Sequence, residues 1–349
     1  MLLNSFKIIK DRQKKFGVQT RRRAQQEKIT VIVRATDDSR YLPACIESIR
    51  AQTYANLEII VIFDGAKESK IKNFQEIARR DNRIAILAQE KEMGVPYTRN
   101  TGIAASTGDY IAFIEASDTI EKNMFETLKR ACEINRADIA VCDYSYIHAD
   151  DIRKKSKFAN GETEIISGKE FDMCYFLYPD TIEENISVNN KIFRKRLFND
   201  ITFPDNGNYS EEATTFKLVN SSERIVYVHE ALYAKSVDSN ANIDDALELK
   251  QYALFDAYVE RLKFYEVNAL YDMMWYTMKK IMNRLHGYRH KAKECKCYDK
   301  KTSSKYCKIL KEYYKKNKDN MTLSTRDKKQ ISLFCTSFKL YCVVKDIYN

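Results

Sequence analysis

Between Ile29 and Cys142, five short runs of β-branched and other apolar residues alternate with four stretches whose apolar positions recur at helical spacing. Few folds accept that rhythm. Strands without polar alternation are buried on both faces, and strands separated by helices pair in parallel. The segment therefore predicts a mostly parallel sheet with helices on both sides. The expected strands are Ile29–Val33, Leu57–Ile62, Ile84–Leu87, Tyr110–Ile114 and Asp138–Cys142; the expected helices are Tyr41–Ala51, Ile71–Ala78, Val95–Ser106 and Asn123–Ile134. Nine Gly and four Pro in 349 residues are too few for a collagen-like or loop-dense all-β chain. In parallel sheets ligands bind beyond the carboxyl ends of the strands, so functional residues are expected just after Val33, Ile62, Ile114 and Cys142.

Past about residue 150 the alternation lapses. Residues 151–245 mix short strand and helix patterns, with a helix expected at Glu211–Val219, and from about Asp245 the pattern is helical, aromatic and basic. The net charge of +10 divides unevenly: +7 over residues 1–28, −11 over 29–275, +13 over 276–329 and +1 beyond. Basic ends of this kind meet phosphate groups of lipid or nucleic acid, or form a solvated surface. The N-terminal stretch, with Phe6, Ile8, Ile9, Phe16 and Val18 among Lys and Arg, reads equally as an interfacial helix or a basic tail. No apolar run reaches the length of a spanning helix. Nine scattered cysteines and a polar start without an apolar signal region point to a reducing, cytoplasmic setting. His286, His290, Cys295 and Cys297 form an HxxxHxxxxCxC cluster, but its Cys pair is one residue closer than the common zinc spacing. The expected reading of that cluster is a Lys-rich solvated face.

Three expected strand ends carry acids: Thr36-Asp37-Asp38 after the first strand, Asp64 after the second, and Glu115 with Asp118 after the fourth. Acids gathered at one sheet edge repel one another unless a cation or donor-rich ligand lies among them, which suits a hydroxyl-rich nucleotide or sugar, with a divalent ion neutralising its diphosphate. Asp is also favoured in turns and at helix N-caps, so spacing alone leaves a structural reading open.

The ordered pieces ITVIVRATDDSRYLPACIESIRAQTYANLEIIVIFDG, DNRIAILAQE and GVPYTRNTGIAASTGDYIAFIEASD resemble family 2 glycosyltransferases of the GT-A fold, the nucleotide-diphospho-sugar transferases. NNKIFRKRLFNDITFPDNGNYSEEATTFKLV and ERIVYVHEALYAKS extend the resemblance to about residue 240. It implies an α/β, Rossmann-like GT-A domain at 29–240, with a nucleotide half at 29–145 and an acceptor half at 146–240. A basic N-terminal segment at 1–28 and a basic helical C-terminal region at 241–349 flank that domain. The implied reaction is inverting transfer of a sugar from a nucleotide diphosphate, a UDP-sugar, to an acceptor hydroxyl in surface polysaccharide or lipid-linked oligosaccharide synthesis.

The resemblance also assigns residues. Asp64 and Phe63 stand where the family holds the nucleoside, with Asp37, Arg99 and Lys235 as further nucleotide-binding positions. Glu115, Ser117 and Asp118 stand at the metal motif for Mg2+ or Mn2+, usually Asp-x-Asp. Glu211 matches the base, with Glu212 as the alternative, in place of the usual Glu-Asp pair. Phe63, Ser117, Ser210 and Ser236 replace groups the family uses, so a catalytically inactive sugar-binding scaffold is the alternative reading. A third reading, nucleic-acid binding through the Tyr- and Lys-rich 276–329 stretch, lacks a recognisable motif and conflicts with the acidic body; no nucleic-acid partner is expected. The expected location is cytoplasmic, with the basic ends meeting an anionic surface at the inner membrane face.

Overall fold

A computed structural model describes residues 26–36, 40–147, 162–178, 185–205, 209–236, 247–294 and 298–348. The segment 1–25 and residues Asp37, Asp38, Cys295 and Cys297 lie outside the described residues. The chain divides into two units, Met1–Leu247 and Glu248–Asn349, each described by itself.

The first unit begins with β1 (Ile29–Ala35), α1 (Leu42–Arg50), β2 (Leu57–Asp64), α2 (Glu68–Ala78), β3 (Ile84–Gln89), α3 (Val95–Ala105) and β4 (Tyr110–Glu115). It continues through β5 (Thr119–Ile120), α4 (Met124–Asn135), β6 (Ile139–Ile147), β7 (Thr163–Ile166), α5 (Gly168–Leu177), β8 (Lys191–Arg194), α6 (Thr215–Asn220) and β9 (Ile225–Ser236). Among the described residues these strands form one mixed, mostly parallel sheet in the order β3-β2-β1-β4-β8-β6-β9-β5, with β7 also on β9. Strands β1 to β4 run parallel, β8 reverses between β4 and β6, and β9 returns parallel to β6.

The two faces follow the two-residue period of a strand. Val31, Val33, Ile59, Val61, Ala112 and Ile114 face one core with Cys45, Ile46 and Ile49 of α1 and Phe125 and Leu128 of α4. Their neighbours Ile32, Ile60, Ile62, Ile111 and Phe113 face the other, with Phe171 of α5 and Leu218 and Val219 of α6. Apolar residues on both sides of each central strand leave no stable arrangement except cover on both faces. Gly102 lets α3 lie close on β1, since a Cβ there would meet Ile32 Cγ2 at 2.5 Å. A complete capping box starts α5: the Ser167 hydroxyl accepts the Glu170 N–H, and the Glu170 carboxylate accepts the Ser167 N–H.

The helix expected to open at Glu211 begins four residues later, at Thr215. Residues 210–214 instead form turns, in which the N–H groups of Thr214 and Thr215 donate to the Glu211 carbonyl. Glu211 therefore precedes the helix and is placed by the turns.

The second unit is helical: α7 (Leu247–Val267), α8 (Tyr271–Glu294), α9 (Lys300–Asn317), α10 (Thr325–Thr336) and α11 (Phe338–Tyr348). Trp275, Met278, Ile281, Met282, Leu285, Tyr306, Leu310 and Phe334 are buried. Asp299 and Ser324 cap α9 and α10 by accepting first-turn N–H groups. Among the described residues no helix is long and apolar enough to cross a membrane.

Candidate active site

The carboxyl ends of β1, β2 and β4 place Arg34, Asp64 and Glu115 along one edge of the sheet, with Arg34 in register beside Glu115. Chain connectivity brings three other segments there. α3 supplies Arg99, the turns before α6 supply Glu211, and the end of β9 supplies Tyr233, Lys235 and Ser236.

Arg99 is the centre of the arrangement. Its Nη2 donates to Glu115 Oε1 at 2.9 Å and ion-pairs with Glu211 Oε1 at 2.5 Å. The guanidinium carbon lies 5.7 Å from the Phe113 ring centroid and 5.3 Å from that of Phe203, so two aromatic rings flank the cation. The Arg99 side chain is 7% exposed, whereas those of Glu115 and Glu211 remain 36% and 22% exposed. Burial works against the Arg99 charge, but Glu211 and Glu115 outweigh it and push the group above its ordinary value. One buried cation thus aims two water-accessible carboxylates from distant parts of the chain.

Behind this pair lies a second network. Asp118 Oδ2 accepts the Tyr233 hydroxyl at 2.6 Å, while Oδ1 accepts the Ser236 N–H at 2.9 Å and the Ser117 hydroxyl at 3.2 Å. Burial pushes the Asp118 carboxyl above its ordinary value, opposed by the bonds from Tyr233 and Ser236. The Tyr233 oxygen also accepts the Glu115 N–H at 3.3 Å, which ties the end of β4 to β9. Lys235 is largely buried near the Tyr144 ring; burial holds its ammonium below the ordinary value against the attraction of Asp118 and Glu115.

Asp64 anchors a third group. Its Oδ2 accepts Arg34 Nε at 2.8 Å and the Gly94 N–H at 3.1 Å, and Oδ1 accepts the Met93 N–H at 2.6 Å. Arg34 also reaches Glu92 at 3.0 Å. Gly65 makes this bend possible: its φ is +70°, and a Cβ would lie 2.5 Å from the Glu92 nitrogen.

The expected site residues separate accordingly. Glu115, Arg99 and Glu211 meet directly, and Asp118 and Lys235 lie beside them. Arg99, expected on the nucleotide, is occupied by the two carboxylates. Asp64, expected on the nucleoside, is 2% exposed and holds the 92–94 loop. Phe63, expected on the nucleoside, is 2% exposed and packs edge-on to the Phe74 ring at 5.6 Å. Glu212, the alternative base, is 3% exposed and accepts the Tyr175 hydroxyl. Asp118, expected at the metal motif, is buried and accepts three hydrogen bonds. Ser117 is exposed, and Asp37 lies outside the described residues. Tyr233, Phe113 and Phe203 were not expected at the site. Tyr233 stands two residues before Lys235 on β9, and that period-two spacing could have signalled it.

Residues 30–201 match the sequence profile of a family described as glycosyl transferase family 2. Over 220 residues the chain is 27% identical to glycosyltransferase GlyG of Streptococcus pneumoniae, covering 59% of this chain and 70% of that protein. Over 240 residues it is 31% identical to glycosyltransferase GlyA of the same organism, covering 68% of this chain but about a third (34%) of that longer protein. The fold is similar to the crystal structure of S. aureus TarS 1–349 in complex with UDP-GlcNAc, at a TM-score of 0.68 and 16% identity, covering 92% of this chain and 91% of that one.

Proposed function

This chain carries a glycosyltransferase family 2 domain at residues 30–201, and on that premise we propose that it performs inverting transfer of a sugar from a UDP-sugar to an acceptor hydroxyl. The observation that carries the reading is the meeting of Glu211 and Glu115 on the Arg99 guanidinium at the carboxyl edge of the sheet. The solved complexes of TarS with UDP-GlcNAc and with UDP support a uridine nucleotide as the donor class. The relatives GlyG and GlyA, both named as glycosyltransferases, support the transferase activity; the acceptor we propose is a saccharide or lipid-linked saccharide of surface polysaccharide synthesis.

In this mechanism Glu211 accepts the proton of the acceptor hydroxyl as its oxygen attacks the anomeric carbon. Arg99 fixes the Glu211 carboxylate in place from a buried, aromatic-lined seat, so little reorganisation is needed at the moment of reaction. Lys235, close to Asp118 and Glu115 at the end of β9, would supply positive charge to the departing diphosphate, whereas Arg99 is committed to the two carboxylates. Among the described acids at this edge, Glu115 is the more exposed of the two carboxylates on Arg99 and would take Mg2+ or Mn2+, with exposed Ser117 close by in sequence. That set fits an ion held chiefly by diphosphate oxygens, the common way magnesium is bound. When bound, such an ion would offset the charge of the leaving diphosphate.

The test is UDP release by the full chain from a panel of UDP-sugars, with and without Mn2+, read beside nucleotide-induced thermal shifts. The expected result is release with at least one donor, falling about 100-fold or more in Glu211→Gln with the thermal shift retained. Donor binding without turnover would favour the inactive-scaffold reading. No release and no shift with any donor would overturn the proposal.

A further inference from the structure

The C-terminal unit brings together three side chains that the glycosyl-transfer reading does not use. His286 and His290 stand one turn apart on α8, and Asp346 approaches them from α11, 60 and 56 residues away. One carboxylate oxygen, Asp346 Oδ1, lies 2.5 Å from His286 Nε2 and 2.8 Å from His290 Nε2. The imidazole centroids are 5.0 Å apart. Their ligand atoms all lie within 4.8 Å of one another, the one such group of three among the described residues.

We propose that His286, His290 and Asp346 form a zinc-type transition-metal site that clasps the last helix of the unit to α8. Imidazoles at i and i+4 on one helix face are the standard helical presentation of two metal ligands, and a carboxylate from a second element completes three protein ligands. Ligand atoms around a tetrahedral zinc ion stand about 3.3 Å apart, given bond lengths of about 2.0–2.1 Å. The observed 2.5 and 2.8 Å separations need to widen by less than about 1 Å, within reach of side-chain rotation. On binding, each imidazole would carry its proton on Nδ1 and present the Nε2 lone pair. The two N–H···O bonds to Asp346 would give way to metal bonds.

Exposure suits such a site. The His286 side chain is 13% exposed and fixed in the unit, while His290 at 51% and Asp346 at 35% leave an entry side and room for a water ligand. Ligand type selects the metal. Arg289 lies between the histidines, Lys293 follows His290 and Lys345 precedes the aspartate. A hard cation held by charge alone, such as Ca2+ or Mg2+, is disfavoured there, whereas imidazole nitrogen favours zinc, nickel or cobalt. Cys295 and Cys297 lie outside the described residues and form no part of the proposed set.

The test uses metal-stripped, tag-free full chain titrated with Zn2+ against a chromophoric chelator. Co2+ substitution is followed in the visible range. The expected result is one equivalent bound with low-micromolar or tighter affinity, a rise in melting temperature, and a d–d spectrum of low-coordinate cobalt. His290→Ala and Asp346→Asn should each weaken binding at least 10-fold while leaving the far-UV circular dichroism and the nucleotide-induced thermal shift unchanged. These two exposed positions are preferred to His286, whose replacement risks the fold. Absence of saturable binding at 100 µM Zn2+ would overturn the proposal, as would binding retained in the His290→Ala/Asp346→Asn double variant. Binding lost in Cys295→Ser/Cys297→Ser but kept in His290→Ala would overturn it in favour of thiolate ligands.

Discussion

Replacing Arg99 by methionine keeps much of the side-chain volume and removes the charge on which the proposed site rests. Truncating one partner of a buried ion pair costs about 3–5 kcal/mol, because the abandoned charge stays desolvated. Here the abandoned carboxylates are Glu115 and Glu211, at 36% and 22% side-chain exposure, so water recovers part of that loss. A counter-effect remains. Both oxygens touch the same Nη2, at 2.9 and 2.5 Å, and so lie no more than about 5.4 Å from each other, where two like charges repel by about 1–3 kcal/mol for effective dielectric constants of about 80 to 20. The thioether retains contact with Phe113 and Phe203, so little apolar packing is lost. The net expectation is a destabilisation of about 3 kcal/mol. For a unit of this size that lowers the melting temperature by roughly 6–12 °C.

Urea and thermal melts of the full chain, followed by far-UV circular dichroism, measure this directly. The decisive comparison is the double variant Arg99→Met/Glu211→Gln. Neutralising one of the two abandoned carboxylates relieves the repulsion, so the double variant should be more stable than Arg99→Met alone by about 1–2 kcal/mol, a sign opposite to additivity. Arg99→Lys, which offers a point charge in place of a planar fork, should fall between wild type and methionine. The reasoning fails if Arg99→Met melts within about 1 °C of wild type, or if adding Glu211→Gln lowers stability further.

Two other outcomes follow from arginine-paired acids of the first unit. Asp64→Asn cannot accept on its amide nitrogen, so it loses part of the bonding to Arg34, Met93 and Gly94; a cost of about 2–4 kcal/mol in urea is expected, with faster tryptic cleavage near Lys91. Asp81 accepts from Arg83 at 2.8 Å and Arg50 at 3.2 Å, and the bonds from Arg83 hold its carboxyl well below the ordinary 3.8, with burial opposing. A depressed acid stabilises the fold fully above its unfolded value and loses that contribution as pH falls below it. Asp81→Asn should therefore melt about 2–6 °C lower than wild type at pH 7, with the gap closing below about pH 4; an unchanged gap at pH 3 would contradict the pairing.

The first half of the sheet was legible in the sequence, and the candidate site was legible only in outline. The strands at Ile29, Leu57, Ile84 and Tyr110 were readable because burial on both faces demands unbroken apolar runs, and such runs carry their own signature. The position of Glu211 before α6, and not within it, was not readable, since turns over 210–214 and a helix share the same local acids and threonines. Phe63 illustrates the same limit. A phenylalanine at a strand end can face ligand or core, and only the neighbouring Phe74 ring decides.

By itself the sequence determined the alternation, the sheet with helices on both faces, and the set of acids gathered at its carboxyl edge. Those properties depend on local periodicity and on chain connectivity, both of which are written residue by residue. Tertiary structure alone decided which partners each described acid meets. Asp64, Asp118 and Glu212 are taken up by Arg34, Tyr233 and Tyr175, whereas Glu115 and Glu211 remain open on Arg99. The same holds for His286, His290 and Asp346, which the sequence separates by as much as 60 residues. Whether a carboxylate is a ligand or a strut depends on the donors within about 3 Å of it, and those donors come from segments far away along the chain.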